Sequence, residues 1–177
     1  MLFAETADGQ FPINAINSLS KICAEAERTL DHRLLYSDTR QHSKNPLSVA
    51  ETVASSAVNT VLGLPVELIV VLSETGRMTR LLAKYRPPVA ILALCPTSKQ
   101  GNFTIKGSST VKYLQTSRGV IGHALTKEEL QEVDTIKTVN KIVKDRLCKS
   151  GDKVLFIQVK NEETKQESSQ IKIIEIE

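Results

Sequence analysis

Leu68-Ile69-Val70-Val71-Leu72-Ser73-Glu74-Thr75-Gly76-Arg77-Met78-Thr79 is the stretch from which the fold can be read. Its first five residues are all leucine or β-branched. That run is too short for a free-standing helix and suits a strand covered on both faces. Gly76 then permits a tight turn, and a helix opens at Arg77. Ser73, Thr75 and Thr79 bring hydroxyls to the place where a helix presents unpaired N–H groups. Two readings of that place stand side by side. One is an ordinary strand-to-helix turn capped by its own Ser or Thr. The other is a phosphate site, because free N–H groups and the helix dipole both favour an anion. A nucleotide P-loop is excluded, since no G-K-[ST] ending follows.

Helices and short apolar strands alternate around this stretch. Before it, Leu47, Ala50, Val53, Ala54, Ala57, Val58, Val61 and Leu62 line one face of a helix. Either Asn45 caps that helix with Pro46 at its first position, or Ser48 and Glu51 form a capping box; Gly63 and Pro65 end it. After it, a helix over Arg77–Lys84 turns Met78, Leu81 and Leu82 inward, and Val89–Cys95 is a second strand. Pro96–Gly107 reads as a polar loop, Ser108–Gln115 as a short helix and Gly119–Leu125 as a third strand, with His123 a strand-end residue rather than a base. Thr126 and Glu129 cap a long helix through Leu130, Val133, Ile136, Val143 and Leu147, ending near Lys149 and Gly151. Val154–Val159 and Ile171–Ile176 are too close for a helical crossover, so they pair antiparallel. The expected fold class is α/β: three layers around a mostly parallel sheet of about five strands, the last antiparallel.

The amino-terminal part differs. Met1–Ala7 reads as the end of a strand and Asp8–Pro12 as a turn. Ile13, Ile16, Leu19, Ile22, Cys23, Ala26 and Leu30 then form a helical stripe that needs a cover. Asp31–Lys44 is polar and reads as a linker, with His32 and His42 as solvated residues rather than metal ligands. The expected organisation is therefore 1–31, a linker over 32–44, and a main domain over 45–177.

With 177 residues and 41% hydrophobic content, the chain is long enough for one real core, and 4% aromatics makes that core aliphatic. A net charge of +3 with no basic cluster interleaved with aromatics argues against nucleic acid as a partner. No run reaches the ~18 apolar residues of a membrane span. Cys23, Cys95 and Cys148 are odd in number and widely spaced, as reduced core thiols of a cytosolic protein are. No nucleophile–base pair or metal-spaced ligand set marks the strand ends, which argues against an independent small enzyme.

Met1-Leu2-Phe3-Ala4-Glu5-Thr6-Ala7-Asp8-Gly9-Gln10-Phe11-Pro12 resembles the M-L-S-[GA]-E-T-A-x-G-x-[YF]-P signature of pyruvate kinases, and Glu25-Ala26-Glu27 and His32-Arg33 continue the match. Ser73 to Arg77, then Lys84-Tyr85-Arg86-Pro87, resemble the [ST]-E-[ST]-G-[RK] turn and [KR]-[YF]-R-P of that family's C-terminal domain. Lys149-Ser150-Gly151-Asp152 is similar to its [KR]-x-G-D. The resemblance implies that 1–31 is the last strand and helix of a truncated (β/α)₈ barrel, and 45–177 an effector-binding and oligomerisation domain. The rest of the barrel would precede Met1, so a fragment is expected. The residues that act on phosphoenolpyruvate and ADP, with their Mg²⁺ and K⁺ sites, belong to that absent part; no catalytic residue, cofactor or metal site is expected in this chain, which alone is inactive.

The resemblance places the phosphate of a sugar-phosphate effector on Ser73, Glu74, Thr75, Gly76, Arg77 and Met78, with Thr79 adjoining. Met78 stands where fructose-bisphosphate-activated relatives usually carry a hydroxyl. The loop Lys160–Ser169 has no Gly or Arg, and its three glutamates oppose a second phosphate, so a monophosphate is favoured over a bisphosphate. The resemblance further implies a cytoplasmic glycolytic enzyme and self-association, with a tetramer for the intact enzyme. The final Ile-rich strand is a candidate subunit contact. A purely structural domain with no effector is the alternative.

Overall fold

The computed structural model describes residues 3–100, 103–105, 107–126, 140, 143, 147–160 and 168–176. They divide into two units, residues 1–31 and 32–177.

In the first unit, α1 (Phe3–Ala7) is followed by α2 (Pro12–Arg28). Pro12 opens α2, where its missing N–H costs nothing and its fixed φ suits the helix. The strand end expected over residues 1–7 is instead helical across Phe3–Ala7. A strand must share its backbone hydrogen bonds with a neighbour, whereas a helix satisfies them locally, and neither sheet takes a strand from this unit. The expected stripe on α2 forms, but α2 buries none of its residues: Ile13, Ile16 and Ile22 are 72%, 55% and 64% exposed. Cys23, expected in a core, is exposed for the same reason, while Cys95 and Cys148 are buried.

The second unit is built around β1 (Leu68–Leu72), the central strand of a five-stranded sheet. Parallel to β1 run β2 (Ala90–Cys95) on one side and β6 (Lys153–Lys160) on the other, with Leu68 level with Ala90 and Val154. Beyond β2 lies β5 (Val120–Ala124), also parallel. Beyond β6 lies β7 (Ser168–Glu175), antiparallel as expected, with Val154 level with Ile174. The order is thus β5–β2–β1–β6–β7. A separate hairpin of β3 (Ser98–Gln100) and β4 (Phe103–Ile105) occupies the expected polar loop. Three-residue strands are too short to produce a readable alternation.

Strand alternation sends Ile69, Val71, Ile91, Leu155 and Ile157 to one face and Leu68, Val70, Leu92, Leu94, Val154 and Phe156 to the other. The first face packs on α4 (Val49–Gly63) through Ala50, Ala54, Ala57, Val58 and Val61, and on α5 (Arg77–Lys84) through Met78 and Leu82. The second face packs on Leu125, Val143, Cys148 and Ile176. Of the two starts left open for α4, Ser48 is the cap, its Oγ accepting from Glu51 N at 3.2 Å. The long helix expected from Thr126 to Lys149 lies mostly outside the described residues, as does most of the Lys160–Ser169 loop.

The stretch expected as a linker contains α3 (His32–Gln41). Its sequence is polar and none of its residues is fully buried, so periodicity did not reveal it. Tertiary contacts hold it instead. The Tyr36 hydroxyl meets Ser55 Oγ at 2.8 Å, and its ring lies 5.6 Å from that of Tyr85.

Candidate functional site

The β1–α5 turn is assembled from three directions. Ser73 N donates to Leu94 O at 3.2 Å, carrying the β1–β2 pairing one residue past β1. Ser73 is buried, and its Oγ accepts from Gly76 N at 2.9 Å, which closes the turn. Thr75 Oγ1 accepts from Arg77 N at 3.3 Å. From α6 (Gly107–Leu114), Thr110 Oγ1 donates to Glu74 O at 3.5 Å. Gly76 has φ +74°, and a Cβ there would stand 2.9 Å from both methyl carbons of Leu114. Backbone conformation and space together require glycine.

Gly76, the residue at the cap position of α5, has no side chain to cap it, and the first ladder bond runs from Arg80 N to Gly76 O at 3.1 Å. The amides of Met78 and Thr79 lie in this first turn, at the amino end of the helix. These amides and the positive end of the helix dipole mark the start of α5 as a place for negative charge. Met78 and Thr79 themselves turn inward, 1% and 0% exposed. Met78 packs with α4 and the sheet, and the Thr79 hydroxyl finds no partner among the described residues. Of the seven expected residues, Glu74 is exposed, Thr75 and Arg77 are half-buried, and Ser73, Gly76, Met78 and Thr79 are buried.

Sheet order gives this turn its position. From β1 the chain proceeds to β2 and β5 on one side, then returns to β6 on the other. The reversal falls between β1 and β6, whose carboxyl ends lie together with Leu72 opposite Gln158. In open α/β sheets, ligands bind outside the carboxyl ends of the strands at such a reversal. The neighbours Leu94, Thr110 and Leu114 escaped the sequence reading, because only the packing of β2 and α6 brings them here. Arg80 joins α5 to α6, donating to the Tyr113 hydroxyl at 3.1 Å and lying 5.3 Å over its ring.

A cleft of about 470 Å³ lies elsewhere, lined by Tyr36, Ser37, Arg40, Gln41 and Asn45. It opens widely to solvent beside α3. Near it, the Lys84 ammonium hydrogen-bonds the Glu51 carboxylate and holds it below its ordinary pKa. Burial pushes the Cys148 thiol up, aided by Asp152 and Glu67. Among the described residues no three His, Cys, Asp or Glu side chains cluster as a metal site, and no helix is long and apolar enough to cross a membrane.

Residues 51–174 match the family model described as pyruvate kinase, alpha/beta domain. A pyruvate kinase of Dictyostelium discoideum is 37% identical over 162 residues, covering 89% of this chain and 30% of that protein. A probable cytosolic pyruvate kinase isozyme of Arabidopsis thaliana is 33% identical over 166 residues, covering 89% and 33%. The solved structure of Cryptosporidium parvum pyruvate kinase in complex with ADP superposes with a TM-score of 0.79 at 30% identity, covering all of this chain and 33% of that one. The chain spans about a third of the length of these relatives.

Proposed function

Because the chain belongs to the pyruvate kinase family through its C-terminal α/β domain, we propose that it is the regulatory and subunit-contact part of such an enzyme. The turn at the switch point carries this reading. The amides at the start of α5, the Thr75 hydroxyl and the half-buried Arg77 receive one phosphate of a sugar-phosphate effector. Ser73 and Gly76 shape the turn, and Met78 and Thr79 anchor it in the core. The acidic Lys160–Ser169 sequence supports a monophosphate over a bisphosphate. At the sheet edge, β7 leaves Ile171 and Ile173 38% and 49% exposed, which supports its use in self-association.

The intact enzyme would transfer phosphate from phosphoenolpyruvate to ADP, yielding pyruvate and ATP in glycolysis. Such a transfer needs cations and positioning groups around the phosphates. In this reading those groups, with the Mg²⁺ and K⁺ of the reaction, belong to the two thirds of the relatives' length that this chain does not span, and the chain alone would be inactive. The cytosolic isozyme names of plant relatives support a cytoplasmic location.

Calorimetric titration with glucose 6-phosphate and then fructose 1,6-bisphosphate tests the effector role. Saturable binding, tighter for the monophosphate and lost in Thr75→Asp, is the expected result. The second reading, a structural domain with no effector, is favoured by the way Ser73 and Thr75 already accept from the turn's own amides. Absence of binding in a tetramer extended to include the barrel would establish that reading instead.

A further inference from the structure

Three consecutive residues at the carboxyl end of α5 each hold a different part of the α3–α4 region. Lys84 Nζ donates to Ser43 Oγ at 2.9 Å, between α3 and α4, and to the Glu51 carboxylate in the first turn of α4. Tyr85 is wholly buried; its hydroxyl reaches Glu51 Oε1 at 3.4 Å and its ring packs on Tyr36 of α3. Arg86 O accepts from His32 Nδ1 at 2.9 Å, at the first residue of α3. Arg86 has φ +49°, a conformation that a non-glycine residue keeps only where its surroundings hold it.

The eight residues of α5 span about 12 Å. One end carries the Ser73–Arg77 turn, the other this three-residue latch. Met78, Thr79 and Leu82 are buried against the core between them, so a displacement at one end is carried by the helix as a body. The polar part of the latch is the part that can exchange: Lys84 is 42% exposed, so its ion pair can give way to water, whereas the Tyr85 ring is wholly buried. A stiff rod that ends in an exchangeable ion pair can transmit a displacement by breaking it.

We propose that Lys84, Tyr85 and Arg86 couple the state of the β1–α5 turn to α3, the element with which the chain enters its second unit. They act as positioning residues and touch no ligand. The physiological use of this coupling rests on the effector reading above: phosphate bound at the turn would be felt at α3, and by linkage the state of α3 would alter phosphate affinity.

The test measures hydrogen exchange of the α3 amides in the full chain, with the turn and the latch altered separately and together. Gly76→Ala perturbs the turn without any ligand, and Lys84→Met with Tyr85→Phe releases the latch's side-chain hydrogen bonds to Ser43 and Glu51. The turn variant is expected to speed α3 exchange by about tenfold when the latch is intact and to add little once it is released. Additive effects, or unchanged α3 exchange on altering the turn, overturn the proposal. If Gly76→Ala fails to fold, Thr75→Asp replaces it on the half-buried rim with the same two outcomes. Glucose 6-phosphate is then added to the native chain. Protection of α3 extends the coupling to the ligand; failure to bind removes the effector reading alone, because the exchange cycle has already decided the latch.

Discussion

Replacing Gly76 by alanine tests the turn most directly. Two separate costs are built into that position. A non-glycine residue in the left-handed region loses about 1–2 kcal/mol. The new methyl would also stand 2.9 Å from Leu114 Cδ1 and Cδ2, and forcing an extra carbon into a packed site costs typically ~1–3 kcal/mol. Together they predict a loss of about 3 kcal/mol, or roughly 6–12 °C in Tm for a chain of this size. Gly119 is the internal control: its φ is +72°, but an added Cβ would meet nothing within 4 Å. Gly119→Ala therefore carries the conformational cost without the steric one, about 1 kcal/mol. Urea denaturation followed by circular dichroism measures both. Adding Leu114→Ala to Gly76→Ala should return part of the difference, giving a non-additive cycle. Equal losses for the two glycines would refute the Leu114 contact, and with it the account of how α6 shapes the turn.

Glu51→Gln should destabilise the chain at neutral pH, and the gap from the native chain should close in acid. The Lys84 hydrogen bond holds the folded pKa below the ordinary value of 4.5, so the stabilisation is complete above 4.5 and fades as pH falls through the folded value. A gap that persists until acid unfolds the chain would contradict this. Of the three cysteines, exposed Cys23 should react promptly with a chromogenic disulfide, while buried Cys95 and Cys148 react only on unfolding; rapid release of more than one thiol equivalent would count against the packing described. Ile173→Lys on the β7 edge should weaken self-association in analytical ultracentrifugation without changing the circular dichroism spectrum. An unchanged sedimentation profile would remove β7 from the subunit contact.

Much of the second unit was legible in residue order. Leu68–Leu72 and Arg77–Lys84 fall where the apolar run and helical spacing placed them, and the antiparallel final pair follows from the short connection between its strands. At two places residue order misled. Polar His32–Gln41 passed for a linker because its order comes from Tyr36, Ser55 and Tyr85 rather than from an apolar stripe of its own. Phe3–Ala7 passed for a strand end because an apolar start turns abruptly polar there, but among the described residues neither sheet pairs with it.

At the turn, the hydroxyls, the glycine and the following helix could all be named from the sequence, because backbone sterics and helix ends are local physics. Their directions could not. That Ser73 closes the turn while Met78 and Thr79 face the core depends on where α4 and the sheet lie. Whether α4 begins at Asn45 or Ser48 was open locally, and the folded chain selects Ser48. The sequence by itself determined the main strands of the second unit and the helices between them, pointed to the family and named the residues at the turn. Only the tertiary structure decided the strand order that makes this turn a switch point, and which side chains reach solvent there. The reason is physical: periodicity and turn chemistry act over a few residues, whereas burial and sheet order come from contacts between segments far apart in the chain.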